Sequence, residues 1–261
     1  MGESIMNIRK YNEIAWDNEV KIGNKWTLPV TSEEVELAKK GEYKILIGPT
    51  RYAPKEWIGD VRGKNLLCLA SGGGQQGPIF SALGAKVTVF DNSSEQLSKD
   101  AMVAKRDNLD INLEKGDMRD LSRFNDETFD FIYHPISNCF IDDVEKLWKE
   151  CYRVLKPGGV LIAGFSNPLI YIFDLYEWET NNNLIVKNSI PYSDIEQLPK
   201  EQLEERINNK DTLEFGHSLQ SQIGGQIDAG FVICGFLEDK LGGGLLDKYI
   251  DTYIATRALK L

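Results

Sequence analysis

From Asn65 onward the chain alternates short apolar runs with longer stretches whose apolar residues recur every three or four positions. NLLCLA (65–70), KVTVFD (86–91), INLEKGD (111–117), FDFIYH (129–134) and VLIAGF (160–165) read as strands. Most are nearly continuous in apolar character, the mark of strands covered on both faces. Between the fourth and fifth, Val144, Leu147, Trp148, Cys151 and Leu155 form one helical stripe. Pro157-Gly158-Gly159 then ends that helix and turns the chain into the fifth strand. Strands and helices in alternation predict an α/β fold with a doubly wound, mainly parallel sheet. FVICGFLED (231–239) and YIDTYIATRAL (249–259) are close in sequence and predict an antiparallel pair at the sheet edge, after a helix running to about Gly230. The sheet then has seven strands, six parallel and one reversed.

Two regions depart from this rhythm. Residues 1–60 form an amino-terminal arm with helical spacing at Tyr11, Ile14 and Ala15. It also carries a Thr31/Glu34 capping box before a helix that Gly41 ends. The arm is too short for its own core, so it should pack on the main domain, 61–261. Within that domain, residues 166–216 are rich in Asn, Asp and Glu, yet carry Tyr171, Phe173, Tyr176, Trp178 and Tyr192. They read as an insertion, a lid over one end of the sheet, whose aromatic residues make a small satellite core.

Composition narrows the partners. A net charge of −10 argues against duplex nucleic acid, whose phosphates need a basic surface. Cys68, Cys139, Cys151 and Cys234 are scattered without a CxxC pair, which suits reduced thiols in the cytoplasm. With two histidines in the chain, no metal site is expected. The start (MGESIMNIRKYNE) has no apolar leader, and no window is apolar enough for a membrane span. The expectation is a cytoplasmic protein, monomer or homodimer, acting on a small molecule.

The chemistry is concentrated at the tips of the first three strands. Between the first two lies SGGGQQGP, a glycine turn that opens a helix with Pro78 in its first turn. Glycines at 72, 73 and 74 let a ligand approach the main chain closely. Asp91 ends the second strand, where a carboxylate accepts hydrogen bonds from ribose hydroxyls. The turn therefore points to an adenosine-containing ligand. Gly72-x-Gly74-x-x-Gly77 formally matches the dinucleotide fingerprint, which leaves an NAD-linked oxidoreductase as one reading.

The third strand ends Gly116-Asp117-Met118, the fourth ends FDFIYHPIS, and RVLKPGG closes the following helix. With these, the chain resembles the class I S-adenosylmethionine-dependent methyltransferases. It is most like the small-molecule branch that includes the ubiquinone/menaquinone-biosynthesis C-methyltransferases. The resemblance covers about 65–165, resumes at Asp228-Ala229-Gly230-Phe231 and ends in the Tyr253–Lys260 strand. It implies that Ala70, Ser71, Gly72 and Gly74 hold the methionine moiety of S-adenosylmethionine or its product S-adenosylhomocysteine. It places Asp91 and Asn92 at the ribose and adenine, and Asp117 and Met118 at the adenine amino group and ring. His134 falls at the mouth where cofactor and acceptor meet, as a pocket residue and candidate base. Two departures stand out. The family's first-strand D-x-G is Cys68-x-Ala70 here. The His134-Pro135-Ile136-Ser137 stretch also lacks the Asn/Asp-Pro-Pro-aromatic pattern of base-methylating enzymes. Gln75, at the helix start, is a further cofactor candidate, and Arg51 a partner for the cofactor carboxylate. Ser137, Asn138 and His217 are candidates for the acceptor side. A module that binds the cofactor without chemistry is the alternative of a different class.

Overall fold

A computed structural model describes residues 7–261, with Glu179 known by its backbone alone. The first six residues of the arm, and the part of the leader reading that rests on them, lie outside the described residues.

The predicted sheet forms with boundaries close to those expected. Its strands are β1 (Asn65–Leu69), β2 (Lys86–Asp91), β3 (Ile111–Lys115), β4 (Phe129–His134), β5 (Leu155–Ser166), β8 (Phe231–Asp239) and β9 (Tyr253–Lys260). A separate two-stranded piece, β6 (Tyr192–Ser193) with β7 (Phe215–Gly216), belongs to the insertion. The main sheet runs β3-β2-β1-β4-β5-β9-β8, and only β9 is antiparallel to its neighbours. Strand order reverses between β1 and β4, so a crevice opens at their carboxyl ends, where ligands of such sheets bind. The family's LKPGG stretch is part of β5 rather than a turn before it, since Leu155 already pairs with Phe129. β8 is the outer member of the antiparallel pair.

Alternation along each strand feeds two cores. Leu66 and Cys68 of β1 face one layer and Leu67 and Leu69 the other. The first layer is roofed by α2 (Ser32–Lys39), α3 (Lys55–Ile58), α4 (Gln76–Ala82) and α5 (Ser94–Asp107). The second is roofed by α6 (Val144–Val154), whose Leu147, Trp148, Cys151 and Val154 are fully buried. At roughly 1.5–3 kcal/mol for each large side chain, this face alone supplies a substantial part of the driving force. The arm contributes α1 (Ile8–Ile22), capped by Asn7 and ended by Gly23 at φ +75°, and the Thr31/Glu34 capping box is present as predicted.

The insertion folds as α7 (Leu175–Asn181), α8 (Asp194–Gln197), α9 (Lys200–Asn209) and the β6–β7 pair, with Tyr171 stacked on Tyr192 at 5.3 Å. These two rings and Cys139 form a third, small buried cluster. The helix expected to reach Gly230 begins as a π-helical turn (Gln220–Gly224) and ends as α10 (Gly225–Asp228). Among the described residues no helix is long and apolar enough to cross a membrane, no set of side chains could hold a metal ion, and all four cysteines are free.

Candidate functional site

A cavity of about 590 Å³ lies over the carboxyl ends of β1–β4. Its floor is the glycine turn and the strand tips. Its walls come from the arm (Arg9, Asn12, Trp16, Trp26), the segment Leu46–Pro49, the loop after β4 and the insertion.

Cofactor-side geometry follows from one conformational choice. Ala70 turns the chain out of β1 at φ +48°, in the left-handed region, which for an L-residue costs roughly 1–2 kcal/mol. Its N–H still reaches the carbonyl of Phe90, 2.7 Å away. Gly72 then donates its N–H to Asp91 Oδ2 at 2.9 Å, and Ser93 donates to Oδ1 at 2.9 Å. A Cβ at position 72 would lie 2.8 Å from Gln96 Cβ and 3.0 Å from Asp91, so only glycine fits between β2's tip and α5. Burial raises the Asp91 carboxyl above its ordinary range, with the N–H donors pulling the other way. Ser71 lines the cavity and donates to Gln76 Oε1 at 3.1 Å. Gln75 also lines it, but its amide donates to the carbonyls of Trp26 and Leu28, tying the arm to the turn.

The adenine end is expected at β3. Asp117 and Met118 both line the cavity. Asp117 accepts from Arg119 through Nε, Nη2 and the main-chain N–H, at 2.7–3.2 Å. Burial alone would raise that carboxyl, but the Arg119 bonds outweigh it and hold it below the ordinary carboxylate range. Arg119 also contacts Asp142. Asn92 lines the cavity and exchanges two hydrogen bonds with Arg9 of α1, at 3.1 and 2.9 Å.

Ser137, Pro135 and Ile136 continue the wall toward the acceptor side. There Ser166, Ile170, Asp211, Thr212, Glu214 and Tyr253 line a space of mixed apolar and polar character with two acidic residues. Tyr171 donates its hydroxyl to Glu214 Oε2 at 2.9 Å. The arm closes over this end. Tyr11 donates to the carbonyl of Asp211, and Asn12 binds Leu213 through both N–H and carbonyl and also the carbonyl of Phe140.

Five expected site residues lie elsewhere. His134 is fully buried behind the wall. Leu69's carbonyl can only accept, so His134 Nδ1 carries the proton and donates to it at 2.9 Å. Nε2 then has no partner and the ring meets Trp148 edge-on, 6.0 Å between centroids. Burial drops this imidazole to about 4, so it is neutral, and it does not line the cavity. Gly74 faces α5 and the arm, where its carbonyl accepts from Val30. Asn138 is fully buried and trades two amide hydrogen bonds with Gln222, at 3.0 and 3.1 Å. His217 donates from Nε2 to the carbonyls of Asn138 and Ile141. These four support the wall from behind. Arg51 is exposed outside the cavity.

Sequence reasoning missed Arg9, Trp16 and Arg119 in the lining. It also missed Asp100 of α5, whose Oδ2 accepts from both Gly73 and Gly74 at 3.0 Å. The arm's aromatic residues and the Asp117-x-Arg119 spacing were the available signals.

Comparison with known proteins places this geometry. Residues 67–163 match the family described as "Methyltransferase domain". The chain is 54% identical over 251 residues to an uncharacterized methyltransferase, YbaJ, of Bacillus subtilis, covering 96% of this chain and 98% of that one. A putative S-adenosylmethionine-dependent methyltransferase from Listeria monocytogenes superposes with a TM-score of 0.60 at 19% identity, over 79% of this chain and 95% of the other. Geranyl diphosphate C-methyltransferase from Streptomyces coelicolor A3(2) gives 0.60 at 14% identity, over 100% of both chains. Strand order, crevice and sequence agree: the chain belongs to the methyltransferase family and has the Rossmann-like fold of the class I S-adenosylmethionine-dependent enzymes.

Proposed function

We propose that this protein transfers a methyl group from S-adenosylmethionine to a small-molecule acceptor and releases S-adenosylhomocysteine. The observation that carries the reading is the shared opening of the bare glycine turn, Asp91 and Asp117 into one cavity at the switch point of the sheet. The residues suit the cofactor. Each Asp91 oxygen takes one main-chain N–H and keeps capacity for a second donor, as two ribose hydroxyls require. Ala70, Ser71 and Gly72 offer main chain to the methionine end. Asp117 accepts at the adenine edge, while Met118 supplies an apolar wall. The bound cofactor supplies an activated methyl group and its own leaving group.

The chain's part is then positioning and exclusion of water. The arm and the insertion cover the reacting end. Ile136, Ile170 and Tyr253 present apolar surface to an acceptor, and Glu214, held by Tyr171, accepts a hydrogen bond or a proton from it. The acceptor class of the ubiquinone/menaquinone branch is compatible with the apolar part of this wall, and the chain's net charge of −10 favours a neutral or cationic compound over an anionic one. Titration calorimetry with S-adenosylhomocysteine, followed by tritium transfer from labelled cofactor across a metabolite panel, tests the reading. Micromolar NAD binding with indifference to S-adenosylhomocysteine would sink it. Tight binding with no transfer to any acceptor would leave a cofactor-binding module.

A further inference from the structure

The glycine turn carries more main-chain donors than the cavity uses. Gly73 and Gly74 both adopt positive φ, +110° and +72°, and point their N–H groups away from the cavity. A buried N–H without an acceptor is costly, so something must meet them. No local residue does. Both acceptors come from α5: the Gly73 N–H is shared between the Gln96 carbonyl, at 3.1 Å, and Asp100, while the Gly74 N–H goes to Asp100, which sits in the second turn of α5 with Oδ2 3.0 Å from each nitrogen. Its side chain is fully buried, and Oδ1 has no hydrogen-bond partner. A buried carboxylate with half its capacity unused is an expensive way to terminate two N–H bonds, which points to a use beyond folding.

Resting on the functional reading above, we infer that Asp100 is the positioning residue of the cofactor turn. Its carboxylate pins Gly73 and Gly74 from behind and so holds Ser71 and Gly72 in the shape that receives the methionine end of the cofactor. The same carboxylate lies close enough to Cys68 to act on its thiol electrostatically.

The charge is poised. Burial, helped by the neighbouring charge of Asp91, pushes Asp100 up to about 7 against the pull of the two glycine N–H groups. Of the elements around it, β2 presents Asp91 and β1 presents Cys68, whose thiol burial keeps neutral. From α4, position 77 is glycine, and a Cβ there would meet Oδ1 at 3.2 Å. A proton arriving at Asp100 goes to Oδ1, the unpartnered oxygen. Oδ2 is left as an uncharged carbonyl whose two bonds to the turn lose their charge assistance.

Asp100→Asn and Asp100→Ala test this, with S-adenosylhomocysteine as the calorimetric probe and thermal midpoints recorded in parallel. Asp100→Asn reproduces the neutral acid. At about pH 8 it should bind the probe roughly five- to tenfold more weakly than wild type, the worth of charge assistance to the bonds. It should also unfold at a higher temperature, because a buried charge is gone. A residue needed only for folding would not give that combination. Wild-type affinity should fall toward the Asn value as pH is lowered through about 7. The Asn variant should show no such step. Asp100→Ala should bind more weakly still. Wild-type affinity in both variants would overturn the inference. So would amide resonances of Gly73 and Gly74 that stay still between about pH 8 and about pH 6 in wild type, a range that brackets the acid's titration. Those resonances are read without ligand. Failure of wild type to bind the probe would therefore overturn the functional reading separately.

Discussion

The two halves of the cavity are built in different ways. The half proposed for the cofactor is made by consecutive pieces of chain: β1, its turn, and the tips of β2 and β3. Its contacts run mainly through main-chain N–H groups held by carboxylates. The half proposed for the acceptor is assembled from the arm, the Leu46–Pro49 segment, the loop after β4 and the far end of the insertion, segments widely separated in sequence. Its contacts are side chains. A pocket half that depends on backbone shape tolerates little change, whereas one that depends on side chains can take a new substrate by substitution alone.

The comparison can be broken most sharply by filling the acceptor half. Ile170→Trp should lower methyl transfer by roughly a hundredfold or more, the scale of misplacing an acceptor by an ångström. It should leave S-adenosylhomocysteine affinity nearly unchanged by calorimetry. Equal loss in both measurements would mean that the halves are not separable. Asp91→Ala tests the other side. It removes the acceptor for Gly72 and Ser93 and should weaken S-adenosylhomocysteine by about 1–3 kcal/mol; unchanged affinity would remove Asp91 from the site.

A third experiment separates wall from cavity. His134 is neutral in the fold, lowered by burial to about 4 from an ordinary 6.5. The unfolded chain therefore takes up the proton first, and wild type loses stability as pH falls from about 6.5 to about 4. The loss is about 1.4 kcal/mol for each pH unit. His134→Gln keeps a donor for the Leu69 carbonyl but does not titrate, so its stability relative to wild type should improve steadily over that window in denaturant titrations. A constant difference would argue that His134 is solvated and within reach of a ligand. The smallest effect belongs to Ala70→Gly, which relieves a left-handed alanine but frees the unfolded chain. The two terms oppose each other, and the net change should stay within about 1 kcal/mol.

The contrast between halves also decides what the sequence made legible. The sheet was readable because its central strands are apolar enough to be covered on both faces. The turn and the acids that line the half proposed for the cofactor were legible because glycine and aspartate at strand tips have few other uses. His134 misled for a physical reason. Phe129 to His134 are almost all buried, and the last residue of such a strand is covered by α6 rather than released at the mouth. Asn138 looked like a pocket residue because its partner, Gln222, is 84 positions away, and nothing local announces that two amides satisfy each other. Asp100 was invisible for a similar reason. On α5 it is one acid among many polar residues, and only the fold brings it beneath the turn. The cavity-lining residues of the arm left a trace in their aromatic content but none in their register with the sheet.

Asn12 carries one more consequence. Through a single side-chain amide it ties the beginning of the chain to Phe140 and, 201 positions on, to both main-chain groups of Leu213. A fragment trimmed to start at the first core strand would keep every strand and the whole glycine turn, yet would strand an amide hydrogen and two carbonyls above an open crevice. The catalytic unit is thus fastened at its rim like a drawstring, and shortening it from the front should undo the closure before it touches the sheet.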